Sequence, residues 1–235
     1  MLIDVLFPSN PQRRLMPDDT STDLEQVRHL LYSAVIADVL DGMGLRDQVV
    51  GGAFHHYSGH GVMAGRAKTT LWEEISHVDP NPYELELQAV DTCALGDIFV
   101  AAAAGSTRSG IWGELLSTAA RNRGCTGALV DGAVRDVAKM DDMGFTVFAA
   151  STCPRDSRDR QRVSAVDVSV QVGGVRITPG DLVFADVDGV VIVPADVEAD
   201  VLAKALEKVT AENRVRDEIR AGMKAADVFR KYGVL

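Results

Sequence analysis

An α/β fold built on a parallel strand–helix–strand–helix–strand core is what this sequence predicts, from two observations. Three apolar runs, Ile98–Ala103, Ala128–Val130 and Phe145–Ala149, are short, bounded by glycine or turn residues, and rich enough in Val, Ile, Phe and Ala to be buried strands. Between them, residues 113–123 and 136–143 read as helices, the first carrying Leu115, Leu116, Ala119 and Ala120, stopped by Gly124 and Gly144. Alternating strands and helices with such short connections require parallel strands and right-handed crossovers.

Around that core the elements follow in order. Residues 1–20, polar and proline-containing, read as an N-terminal arm, and residues 21–235 as one domain including the C-terminal helices. A helix is predicted from about Ser21-Thr22-Asp23, with Val27, Leu30, Leu31, Ala34 and Val35 at helical spacing. It breaks before a second helix at Ser33–Leu40, ended by Gly42 and Gly44. Residues 49–72 are glycine-rich, with β-type stretches at Val62–Ala64 and Ala67–Leu71 and glycines read as turns or bulges. Pro154–Arg162 reads as a polar loop. Val166, Val168, Val170 and Val172 then alternate with polar residues, the pattern of a half-exposed strand. Gly173-Gly174, Thr178-Pro179-Gly180-Asp181 and Asp188-Gly189 mark turns, so this region is expected to be a small antiparallel meander ending in Val190–Val193. A long helix from Asp196 to Arg220, closed by Gly222, and a short one to Tyr232 complete the chain.

The composition fits one such unit. The chain has 235 residues, 46% hydrophobic and 25% charged, enough to bury a real core. A net charge of -10 argues against nucleic acid as a partner, since phosphate backbones need clustered Lys and Arg. It leaves room for a small anionic substrate, because one arginine and a metal ion reverse the field inside a pocket. Cys93, Cys125 and Cys153 are odd in number and widely spaced, as expected of apolar fillers in a reducing, cytoplasmic setting. The apolar run Ile98–Ala104 is far too short to span a bilayer, so no membrane role is expected.

The chemistry-bearing pattern is Gly113-Glu114-Leu115-Leu116 followed by Asp131-Gly132-Ala133-Val134-Arg135-Asp136. In open parallel sheets, ligands collect beyond the carboxyl ends of the strands. Two connections arrive there: a glycine-rich loop, Gly105–Gly113, leading into the helix at Glu114, and the turn that presents Arg135 and Asp136. Free N–H groups at the helix start favour an anion, and the Arg135 fork grips a carboxylate. All five histidines precede the motif and no cysteine falls in it, so oxygen ligands from Asp136 and Glu114 would favour Mg²⁺ or Mn²⁺ over zinc. A plainer reading stays open, in which Glu114 serves only the helix dipole and Arg135-Asp136 is a solvated surface pair.

At these residues the chain resembles the class II pyruvate aldolases acting on 4-hydroxy-4-methyl-2-oxoglutarate and 4-carboxy-4-hydroxy-2-oxoadipate, in the superfamily named for the regulator of ribonuclease activity A. The shared pattern is an acid, twenty residues, then Arg-Asp, and the similarity extends from about residue 28 to 230, including Gly180-Asp181 and Asp188–Pro194. The resemblance implies a swivelling β/β/α-type fold and a homotrimer or hexamer with sites at subunit interfaces. It implies Asp136 as direct metal ligand, Glu114 as holder of metal-bound water, and Arg135 with backbone groups of Gly113–Leu116 on the pyruvyl unit. Glu212, matched by counting back from Gly222, would come from a neighbouring subunit. The implied reaction is cleavage of a 4-hydroxy-2-oxo acid through pyruvate enolate, with oxaloacetate decarboxylation alongside. Family members often have Asp where Glu114 stands. Members that bind ribonuclease E without catalysis lack the Asp after the Arg, so Asp136 favours the enzyme over that regulator.

Other candidates carry plainer expectations. His55, His56 and His60 fit no zinc spacing and read as surface or structural residues. Ser106, Thr107 and Ser109 read as helix caps rather than nucleophiles. Arg108 is a candidate for a distal substrate carboxylate, Trp112 for packing or a substrate wall, and Glu73 and Glu74 are expected to be solvated.

Overall fold

The computed structural model describes residues 24–52 and 54–233, so the expected N-terminal arm lies outside the described residues. The first two helices, α1 (Leu24–Leu30) and α2 (Ser33–Gly42), break where expected, because Tyr32 takes an extended conformation. Strand β1 (His55–Ser58) precedes β2 (Met63–Glu74), helix α3 (Glu84–Asp91) and β3 (Asp97–Trp112). The predicted core then appears as α4 (Glu114–Asn122), β4 (Gly127–Val134), α5 (Val137–Asp142) and β5 (Thr146–Thr152). Strands β6 (Gln161–Val166), β7 (Val170–Val172), β8 (Val175–Ile177), β9 (Leu182–Asp186) and β10 (Gly189–Val193) lead to α6 (Glu198–Arg220) and α7 (Ala225–Tyr232).

The main sheet runs β1-β5-β4-β3-β2-β9-β10, with β6 also paired to β2. Strands β2, β3, β4 and β5 are mutually parallel, one more than the expected three. The fourth enters because α3, which the sequence reading left unassigned, supplies a further crossover. The expected meander is divided between two places. Strands β9 and β10 extend the main sheet, whereas β7 and β8 pair only with each other. The alternating valines bend at Asp167, whose backbone is left-handed, so one predicted strand becomes β6 and β7.

Apolar side chains fill both faces of the parallel strands. Phe99, Ala101, Val130 and Val147 pack with Trp112 at the end of β3 and with Ala120 and Met140 from the helices; Ile98, Val100 and Leu129 pack with Val172, Ile177, Val183 and Ile192. A third cluster packs α1, α2 and α6 around Ile36, Leu40, Phe184 and Val201. Cys93 and Cys125 are free thiols within the first cluster, and Cys153 is free and buried.

Two glycine readings change. The two expected stretches are one continuous strand, Met63–Glu74, and Gly65 is a close approach rather than a turn. A Cβ there would lie 2.3 Å from the Gly96 carbonyl oxygen and 2.8 Å from Ile98. Gly65→Ala is therefore expected to cost about 1–3 kcal/mol, measured as a lowered urea midpoint, because backbone must give way. An unchanged midpoint would mean that these strands part freely at this point. The second change is the expected loop Gly105–Gly113, which is strand as far as Trp112. Ala104 (φ 50°) and Gly105 (φ 71°) are both left-handed, and β3 bulges away from β4 and back without leaving it. Ser106, Gly110 and Trp112 still pair with Gly132, Ala133 and Val134.

Candidate active site

The bulged end of β3 and the end of β4 build the site between them. The Arg135 N–H donates to the Trp112 carbonyl at 2.8 Å, which carries the pairing one residue past Val134. Asp136 then turns left-handed (φ 56°, ψ 31°) and starts α5. Asp accepts this conformation more readily than most non-glycine residues. The reversal leaves Arg135 and Asp136 facing the same space. Glycines clear it: a Cβ on Gly113 would lie 2.8 Å from Asp136 Oδ2 and 3.0 Å from Arg135 Cγ, and one on Gly110 would lie 2.4 Å from the Cys153 carbonyl.

The result is a cleft of about 290 Å³ lined by Tyr83, Glu86 and Leu87 from the α3 side, Gly113, Leu115 and Leu116 from α4, and Arg135, Asp136 and Asp156. Arg135 and Asp136 also border a second recess of about 500 Å³ with Tyr57, Val137 and Pro154. Their side chains are 35% and 41% exposed, so both remain accessible without being fully solvated. Arg135 Nη1 forms an ion pair with Asp156 Oδ2 at 3.0 Å, and Arg135 Nε lies 3.9 Å from Asp136 Oδ2. Asp156 is held firmly, since its Oδ1 accepts from the Tyr83 hydroxyl at 2.7 Å and the Arg158 N–H at 2.7 Å. Burial pushes the Asp156 carboxyl up, but these donors and Arg135 outweigh it and hold it below the usual carboxylate range. Tyr83 rises to about 12 through its own burial and that same hydrogen bond.

Of the residues picked out from sequence, Gly113, Leu115, Leu116, Arg135 and Asp136 come together here. Glu114 starts α4 beside them but does not line the cleft; it is half-buried and accepts the Thr118 hydroxyl at 3.1 Å. This chain's own Glu212 lines neither recess. It sits on α6, accepts the Tyr32 hydroxyl, and lies 3.9 Å from Lys208. Arg108 lines neither recess and lies 3.5 Å from Glu74. Trp112 is a packing residue: its ring is fully buried 4.5 Å from that of Phe99, with its N–H on Ser117.

The serines are not caps, because they lie within β3 and the cap of α4 is Gly113. Ser106 bonds Glu74, and buried Ser109 bonds Gln161. Glu73 and Glu74 are exposed but paired, Glu73 with Arg162 at 2.8 Å. His55 and His56 lie on β1, where His56 stacks on Phe148.

Sequence reasoning missed Asp156 and Glu86. Asp156 lies in a polar segment with no periodicity to expose it. Glu86 did carry a signal, because it precedes Ala89 and Val90 by three and four residues and so shares their buried helix face. Burial pushes Glu86 up to about 8, helped by the negative Asp156 and opposed by Arg135.

A family profile of the RraA-like type, described as Aldolase/RraA, matches residues 33–192. The chain belongs to the Aldolase/RraA family. It is 34% identical over 131 residues to a protein of Halalkalibacterium halodurans provisionally named a 4-hydroxy-4-methyl-2-oxoglutarate aldolase, a match covering 56% of this chain and 61% of that one. The chain thus spans less than two thirds of that relative's length. A protein of the same provisional name from Aromatoleum aromaticum is 31% identical over 157 residues, covering 66% of this chain and 93% of that one. The crystal structure of Streptomyces coelicolor RraAS2, described as an unusual member of the RNase ES inhibitor RraA protein family, superposes with a TM-score of 0.74. It is 27% identical, over 83% of this chain and 96% of that one. The chain's mixed α/β sheet with a long C-terminal helix thus matches the fold of an RraA-type protein. Among the described residues, no helix is long and apolar enough to cross a membrane.

Proposed function

We propose that the cleft is the active site of a divalent-metal-dependent aldolase that cleaves 4-hydroxy-2-oxo acids to pyruvate, with oxaloacetate decarboxylation as a side reaction. The observation that carries this reading is the convergence of the Arg135 fork, the Asp136 carboxylate and the start of α4 on one small cleft. The first N–H groups of α4 have no partner in the helix's own ladder and favour the substrate's 1-carboxylate. Arg135 faces the 2-oxo oxygen, where negative charge grows as the C3–C4 bond breaks, and stabilises the enolate. Its contacts with Asp136 and Asp156 fix the guanidinium before substrate arrives, so little reorganisation is needed.

The donors present fit a hard divalent cation. Among the described residues no cluster of three His, Cys, Asp or Glu forms an all-protein cage, and no His or Cys lines the cleft. Asp136, with Glu114 through water, would hold Mg²⁺ or Mn²⁺ largely in its own hydration shell, the habit of Mg²⁺. When bound, the ion adds Lewis-acid polarisation of the 2-oxo group. Glu212 of a neighbouring copy would complete the site in a homotrimer or hexamer.

Pyruvate release from 4-hydroxy-2-oxo acids is expected to stop with EDTA and return with Mg²⁺ or Mn²⁺; turnover surviving rigorous chelation would remove the metal from this reading. Asp136→Ala is expected to abolish the metal response, and a variant rescued by the same Mg²⁺ concentration as the parent would deny Asp136 its role. A second reading, a ribonuclease-binding regulator without catalysis, is favoured by the RraAS2 likeness. It requires no turnover on any such substrate and a stable complex in a ribonuclease pull-down.

A further inference from the structure

Glu86 is a buried acid of this cleft to which the aldolase reading gives no task. It extends from the first turn of α3, is 6% exposed, and lines the cleft opposite Arg135 and Asp156. No described residue donates a hydrogen bond to its carboxyl. Asp156, the acid beside it, has two hydrogen-bond donors, the Tyr83 hydroxyl and the Arg158 N–H, and an ion pair with the Arg135 guanidinium. Tyr83 stands only three residues before Glu86, yet its hydroxyl goes to Asp156.

The two neighbouring carboxyls therefore part company. Asp156 is kept ionised by its donors, and Glu86, shielded from water and facing that charge, holds its proton up to about 8. Such divergence between adjacent acids marks a division of labour between a fixed charge and a proton carrier. An unpartnered buried carboxyl gives no structural return for its burial.

We propose that Glu86 is the acid–base residue of the cleft, taking the proton of the substrate's 4-hydroxyl and returning it to C3 of the pyruvate enolate. This rests on the aldolase reading. The step starts from the ionised fraction of Glu86, which grows as pH rises toward about 8. Its carboxylate takes the hydroxyl proton, and as the O–H bond breaks, its electron pair forms the C4 carbonyl. The C3–C4 pair becomes the C2–C3 double bond, and the former C2 carbonyl pair moves onto oxygen beside Arg135. When the 2-oxo group re-forms, C3 takes the proton from Glu86. The carboxylate is regenerated, and no co-reactant is consumed. An ionisation near neutral pH suits both halves, since the same group must accept a proton and then release it.

The test uses the full chain with Mg²⁺, as wild type, Glu86→Gln and Glu86→Asp. Two rates are followed from neutral to alkaline pH: pyruvate release, and deuterium exchange into the methyl group of added pyruvate, which isolates the C3 step. Glu86→Gln is expected to lower kcat by about 10²-fold or more, with KM little changed, and to lower exchange in parallel. The rise in rate with pH should vanish with it. Glu86→Asp should recover part of the rate with its pH limb displaced. In wild type, carbon-13 NMR of labelled glutamate should show a carboxyl titrating near neutral to alkaline pH, lost in Glu86→Gln. A Glu86→Gln protein with wild-type kcat and pH profile would overturn the proposal while the aldolase reading stands. Wild type with neither pyruvate release nor methyl exchange would end both. Should Glu86→Gln not fold, an unshifted Glu86→Asp profile is equally fatal.

Discussion

Replacing Arg135 with alanine is expected to lower kcat/KM for pyruvate release by about 10²–10³, the scale of losing one preorganised donor to a developing oxyanion. The guanidinium is held between Asp156 at 3.0 Å and Asp136 at 3.9 Å, and no other cation lines the cleft among the described residues. Removal leaves two carboxylates facing an anionic substrate with no positive group from the chain. Arg135→Lys sharpens the expectation, because lysine keeps the charge but loses the planar fork. It should recover only part of the loss. The stability cost should be small, since Arg135 and Asp156 are each about one-third exposed and such pairs contribute little. A coupled pyruvate assay decides it: near-wild-type turnover by Arg135→Ala would remove the guanidinium from the reaction.

The second large effect concerns stability rather than rate. Glu86 has its carboxyl raised from 4.5 to about 8, chiefly by burial. Between those values the unfolded chain has released the proton and the folded one still holds it, so stability falls as pH rises through this window. Above about 8 both states are ionised and the cost stays constant. Below 4.5 both are protonated and the cost is absent. Glu86→Gln cannot ionise, so its advantage over wild type should be small at about pH 5 and grow to a few kcal/mol at about pH 9. Urea unfolding at the two pH values measures this directly. A difference that does not change with pH would show that Glu86 ionises as an ordinary glutamate.

How much of this was legible depended on whether the signal was local. The core strands and helices were readable because Ile98–Ala103 and Ala128–Val130 are uniformly apolar and Gly124 and Gly144 cut the helices between them. The glycine-rich stretch after Ala104 misled for a physical reason. Its residues look like a loop taken singly, yet β4 stays within hydrogen-bonding reach and holds them as bulged strand. Gly65 misled in the same way, since its need for a missing side chain comes from Gly96 and Ile98, about thirty residues on. The site divided along the same line. Arg135 and Asp136 stand in an unusual dipeptide beside a legible strand end. Asp156 matters only because Tyr83 and Arg135 reach it from distant parts of the chain.

The stem of Arg135 lies over Gly110 and Gly113, where an added Cβ would stand 3.0 Å from it in each case. The base of that side chain is thus set by the sheet's skeleton, and its tip by the ion pair with Asp156. Under the proposed chemistry, the end of the molecule that grips the invariant three-carbon unit has no freedom to drift. Adaptation toward longer or bulkier acids would have to be written on the opposite wall at Leu87, a helical position whose exchange leaves the Tyr83–Asp156 bond behind the guanidinium in place.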